Sequence, residues 1–146
     1  MTDIAIVWDE ARTTGDWQLT GDGGLLTAPA LETAVMVSLF TDARALPEDR
    51  LPPGEDPRGW WGNALGGDPI GSRLWTLRRA KREPETLRRA EDMVREALAW
   101  LVADGVASRV EVACEWRTAT RMGATIDIHQ PTGTAALRAE WAWAGL

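Results

Sequence analysis

Several residue types are scarce in this chain, and each scarcity removes options. Among 146 residues there is one cysteine, Cys114, so no disulfide can form within the chain. There is one histidine, His129. A zinc site built on it would need several carboxylates or thiols converging from elsewhere. A Cys–His nucleophile pair is formally available. Strand alternation, however, puts Cys114 on the apolar side of its strand and His129 on the opposite side of its own, so a buried thiol and an exposed imidazole are expected. Tyrosine is absent and phenylalanine occurs once. No stretch approaches the roughly 20 apolar residues that span a bilayer. The start, "MTDIAIVWDEAR", has neither a basic flank nor a long apolar run, so no secretory leader is expected and synthesis in cytosol is. The chain lacks a long basic face and carries a net charge of −6, which makes direct nucleic-acid binding a poor expectation.

What is present suits one globular unit, and residues 1–146 are read as a single domain. Hydrophobic residues make up 45% of the chain, enough to build a core. Nine tryptophans dominate the aromatic content, and such large rings demand cover. Charge is unevenly spread: residues 1–72 carry 4 basic and 12 acidic groups, whereas residues 73–96 carry 8 and 5.

The periodicities give an α+β order: an N-terminal hairpin or arm, three helices, and a C-terminal three-stranded antiparallel sheet. "DIAIVWD" alternates like a strand, and the Gly-Asp turns around Trp17 and Leu19 suggest a second short strand. "PALETAVMVSLFTDARAL" reads as the first helix, apolar on more than one side and ended before Pro47. "GSRLWTLRRAK" reads as a short helix with Ser72 as N-cap. Residues Pro84–Ala103 read as a continuous helix of about 30 Å. Pro84 starts it, Leu87, Ala90, Val94, Ala97, Leu98 and Leu101 form its apolar stripe, and Gly105 stops it. Glu85–Arg89 and Glu91–Arg95 are candidate ion pairs on its wet side. The last third switches to period two, with Val110, Val112, Cys114 and Trp116, then Ala124, Ile126 and Ile128, then Leu137, Ala139, Trp141 and Trp143 on one side.

Residues 46–71 hold five of the eight prolines and two adjacent tryptophans in "PRGWWGN". A long irregular segment in a compact domain is uncommon without a role. On extended backbone, neighbouring rings point opposite ways, so covering both Trp60 and Trp61 needs a doubled-back loop or a partner. Trp and Arg are enriched at interface hot spots. The expected protein-contact residues are therefore Arg58, Trp60, Trp61, Arg73, Trp75, Arg78, Arg79 and Arg82, with rings as anchors and guanidinium groups meeting acidic patches.

Catalytic motifs are weak by comparison. "GGDPIGSR" has the glycine spacing of a phosphate loop, but Ser72 stands where that loop needs lysine. The acidic pairs Asp9/Glu10, Glu48/Asp49, Glu55/Asp56 and Glu91/Asp92 lack the apolar surroundings that raise a carboxyl pKa. No cofactor, metal or catalytic residue is expected. Two alternatives remain: a peptidoglycan-cleaving, lysozyme-like glycosidase using a carboxylate pair, and a small-ligand binding domain with Trp60 or Trp61 as a stacking platform.

Three segments in order carry a resemblance: "ETAVMVSLFTDARALPEDRLPPGEDPRGWWG", "GSRLWTLRRAK" and "AEDMVREALAWLVADGVASRVEV". Together they resemble the baseplate wedge proteins of Mu-like contractile-tailed phages, related to the small wedge or sheath-initiator proteins of contractile injection systems. The similarity runs from about Ile4 to Trp143. It implies a non-catalytic structural subunit of a phage or prophage tail baseplate. Such a subunit is made in the bacterial cytoplasm and binds a larger wedge protein, with sheath or tube components nearby and no membrane contact. Many sheath-initiator relatives carry Glu-Pro-Arg between the long helix and the next strand. Here that place reads "DGVASRVEV", with only Arg109 to match.

Overall fold

The computed structural model describes residues 1–9, 12 and 14–142. The N-terminal hairpin that the sequence suggests is present as two narrow two-stranded ribbons. β1 (Thr2–Ile4) pairs antiparallel with β4 (Thr27–Pro29), and β2 (Ile6–Asp9) with β3 (Thr14–Trp17). Ala5 is the one buried residue among those of residues 1–29 whose burial is described. Two-stranded ribbons are marginal alone. This pair is tethered to the first helix, which starts directly after β4, and the Thr33 hydroxyl of that helix donates to the Ile4 carbonyl.

The helix α1 (Ala30–Phe40) has Pro29 at its N-cap and not in its first turn, and it ends before Pro47 as expected, already at Phe40. Thr41 is already extended, because the chain from there pairs with the segment that leads into the next helix. The Ser72 N–H donates to the Thr41 carbonyl, and the Ala43 N–H to the Ser72 carbonyl, each at 2.9 Å. Gly71 permits this approach: its φ is +118°, and a Cβ there would lie 2.7 Å from the Thr41 carbonyl oxygen. The cap position falls on Arg73, one residue after the expected Ser72, whose hydroxyl donates to the Leu39 carbonyl at the end of α1 and accepts a long 3.4 Å bond from the Leu74 N–H.

The expected short helix is a 3-10 helix, Leu74–Arg79, burying Leu74, Trp75 and Leu77. The expected long helix divides at Leu98 into α2 (Pro84–Ala97) and α3 (Ala99–Ala103). Leu98 and Leu101, both on the expected stripe, stay fully buried across the break. Just after it, the Trp100 indole N–H donates to the Ser38 hydroxyl of α1 at 3.1 Å. The two longer helices, with the divided turn and the 3-10 turn, thus replace the three continuous helices the periodicity suggests. Glu91 pairs with Arg95 as expected, whereas Glu85 pairs with Arg88 and not Arg89.

The C-terminal meander matches its pattern. β5 (Arg109–Trp116), β6 (Arg121–Gln130) and β7 (Gly133–Ala142) form an antiparallel sheet in that order. Val112 sits opposite Ile126 and Cys114 opposite Ala124. Met122, Ala124, Ile126 and Ile128 are fully buried against Ala90, Val94 and Leu98 of the helical layer. Each large side chain removed from water there contributes about 1.5–3 kcal/mol before ordering costs are subtracted. Trp143 and Glu10, and the Trp141 side chain, lie outside the described residues.

Candidate docking surface

The irregular segment is held in shape by its own polar groups. The Asn63 side chain donates to the Ile70 carbonyl and accepts from the Ile70 N–H, closing residues 63–70 into a loop. Trp60 precedes a 3-10 turn, Trp61–Leu65, and its ring folds back over Gly62. A Cβ at Gly62 would come within 2.2 Å of that ring, so the ring can lie there only while residue 62 is glycine. Trp60 stays 39% exposed and Trp61 72% exposed. The two ring centroids lie 5.7 Å apart at a 48° tilt. One ring rests on the loop, the other stands in solvent.

Arg58 braces the loop's start. Its guanidinium lies 2.8 Å from Asp42 and 4.4 Å above the centre of the Trp75 ring, a cation–π arrangement. The Trp75 indole N–H donates to the Ala43 carbonyl at 2.8 Å. Arg73 and most of the Trp75 ring are thus drawn into the fold, Trp75 keeping only a small part on the cleft wall. Arg73 donates to both carboxylate oxygens of Asp49, at 2.7 and 2.8 Å, and to Glu96 at 2.7 Å. The Asp49 side chain is 2% exposed and that of Arg73 15%. Burial works against the Arg73 charge, but the hydrogen bonds to Glu96 and Asp49 outweigh it and hold the proton more firmly than usual.

Arg78 and Arg79 reach a cleft of about 340 Å³ between the 3-10 helix and residues 49–58. Arg50, Arg58 and Arg89 line it too, with Leu51, Pro52 and Trp75 supplying apolar wall. Neither Trp60 nor Trp61 lines this cleft, which separates it from any stacking platform those two rings could form. Arg79 pairs with Glu55 at 3.2 Å. Arg82 lies apart, its guanidinium 5.3 Å from the centre of the Trp116 ring. Sequence reasoning missed Arg50 as a member of this group, because only the turn after Pro47–Asp49 brings it round. It also missed the ribbons' apolar surface, where Trp17 is 63% exposed beside Leu19.

Among the described residues, most carboxylates of the acidic pairs are spent on structure. Asp49 is held by Arg73 and the Leu46 N–H, and Glu55 by Arg79. Asp56 accepts from the Arg58 N–H, while Glu91 and Asp92 both meet Arg95. His129 lies on the polar face of the sheet with Glu111, Arg109 and Thr134. Its hydrogen bond, together with the Arg109 charge, lowers the Glu111 pKa. Arg109 is thus engaged in a surface cluster. Among the described residues no helix is long and apolar enough to cross a membrane.

Cys114 is half-buried, and burial, reinforced by the Glu91 carboxylate, pushes its thiol up to about 12 from an ordinary 9.0. The folded state therefore favours the neutral thiol. Its contribution to stability is fully present below pH 9 and is lost as pH rises towards 12, because the unfolded thiol ionises first. Urea titrations at increasing alkalinity are expected to show this decline, and Cys114→Ala to flatten it. A slope unchanged by the substitution would show that the thiol is not the source.

The sequence model of phage protein GP46 matches residues 31–135. The chain belongs to this family. It is 49% identical over 117 residues to the baseplate protein gp46 of Escherichia phage Mu, covering 79% of this chain and 78% of that one. It is 43% identical over 113 residues to the Mu-like prophage FluMu protein gp46 of Haemophilus influenzae, covering 77% and 75%. The GP46 match spans α1 to the start of β7 and so includes the Trp60–Trp61 loop and the arginine cleft. The N-terminal ribbons lie before it.

Proposed function

We propose that the chain is a non-catalytic structural subunit of a contractile-tail baseplate, in a phage or prophage, docking through its Trp60–Trp61 loop on a larger wedge protein near the start of the sheath. The observation that carries the reading is the 49% identity to a protein named as a baseplate component. The loop supports it physically. Two indoles held at a fixed tilt on a glycine-dependent turn are pre-organised, so little ordering cost remains when a partner covers them. Sheath or tube components are the further neighbours of such a subunit.

Immuno-electron microscopy of tails tests this. Antibody raised against the chain is expected to label the baseplate end, and particles assembled without the chain are expected to lack sheathed tails. Labelling elsewhere, or normal contractile tails in its absence, would overturn the assignment.

A further inference from the structure

The cleft between residues 49–58 and the 3-10 helix has more cations than its own fold uses. Five arginines line it. Arg58 is committed to Asp42 and Arg79 to Glu55. The remaining three, Arg50, Arg78 and Arg89, make no ion pair or side-chain hydrogen bond with any described residue. Arg78 and Arg89 are half-buried, so they are partly stripped of water without a carboxylate in return. The acids in the same wall do not relieve them, since Asp49 gives both oxygens to Arg73. Arg50 and Arg58 are also the two described non-glycine residues in the left-handed backbone region, at φ of 50° and 56°. The main chain is thus held in an uncommon conformation at two points on one rim, and both point-holders are arginines.

We infer that this cleft is the receptor site for an acidic peptide segment of a partner protein, one that brings carboxylates to Arg50, Arg78 and Arg89 and an apolar side chain to the wall of Leu51, Pro52 and Trp75. Guanidinium groups bind carboxylates by paired, charge-assisted hydrogen bonds, and a partly enclosed cleft strengthens them. The mixed lining favours a peptide over a polyphosphate chain. A nucleic acid would bring charge all along its length to a molecule whose first 72 residues carry a threefold excess of acid. A short acidic segment brings charge only where the free cations stand. The inference concerns the isolated chain and is independent of which assembly it joins.

The test is fluorescence anisotropy with a fluorescein-labelled peptide of alternating Glu and Leu, titrated with the full-length chain at low and at high salt. Binding is expected at low salt and is expected to weaken as salt rises. Arg78→Ala and Arg89→Ala are each expected to weaken it about tenfold or more, with Arg78→Lys recovering part of the loss. Arg88→Ala, on the exposed side of α2 and paired with Glu85, should leave it unchanged. Circular dichroism establishes that each variant is folded. Equal binding by a Gln-Leu peptide, or no effect of the cleft substitutions, overturns the inference. So does preference for a single-stranded oligonucleotide, or self-association lost in Arg78→Ala without peptide binding; these would assign the cleft to nucleic acid or to a second copy.

Discussion

Arg73→Ala is expected to remove about 3–5 kcal/mol of stability, the range for stripping one partner from a buried ion pair. Domains of this kind have about 5–15 kcal/mol in total, so the change takes a large share. The reasoning rests on Asp49. Its carboxylate is sealed from water, and after the substitution only the Leu46 N–H would remain to it. The Glu96 arm counts for little, because that side chain is more than half exposed and solvent screens it. Thermal unfolding followed by circular dichroism should show a drop of about 10 °C or more. The double change Arg73→Met with Asp49→Leu should cost less than Arg73→Ala alone, since it leaves no stranded charge. A single-variant loss below about 1 kcal/mol would mean that water reaches Asp49 and that the pair behaves as a surface bridge.

Trp61→Ala separates binding from stability. Its ring stands mostly in solvent, so the isolated subunit should change by no more than about 0.5 kcal/mol. Under the proposed docking, affinity for the larger wedge protein should fall by about 2 kcal/mol or more, roughly thirtyfold. Trp60→Ala should affect both properties, because its ring also covers Gly62 and shapes the turn. Calorimetric titration against the purified wedge protein measures the first effect and thermal unfolding the second. A Trp61→Ala subunit that binds like the parent would move the docking surface elsewhere, with the ribbons around Trp17 next in line.

The sheet was legible because one face is buried and one wet, so alternation of period two fixes strand and register together. The α2 stripe was legible for the same reason at helical period, with Pro84 and Gly105 as punctuation. The break at Leu98 was not, because the residues on either side keep an unbroken helical pattern. The one feature at the break that lies outside the local pattern is tertiary: Trp100, just after it, hydrogen-bonds Ser38 of α1. The early end of α1 was hidden likewise, since it depends on pairing with Ser72, thirty-one residues beyond Thr41. For the surface, local sequence marked the tryptophan loop but could not sort its arginines. Arg73 looks like Arg78 in the sequence, yet Asp49 claims the first and leaves the second unclaimed.

The triple junction of Arg73 has a mechanical meaning. Its guanidinium fastens the Pro47–Asp49 turn, the entry to the 3-10 helix and the flank of α2 at one point. Arg58 adds a second rivet, through Asp42 and the Trp75 ring. A tug at the exposed indole is therefore relayed to the helical layer through two rivets set either side of the proline-rich stretch. A load on the loop is thus shared between the two rivets and does not fall on the backbone turn alone.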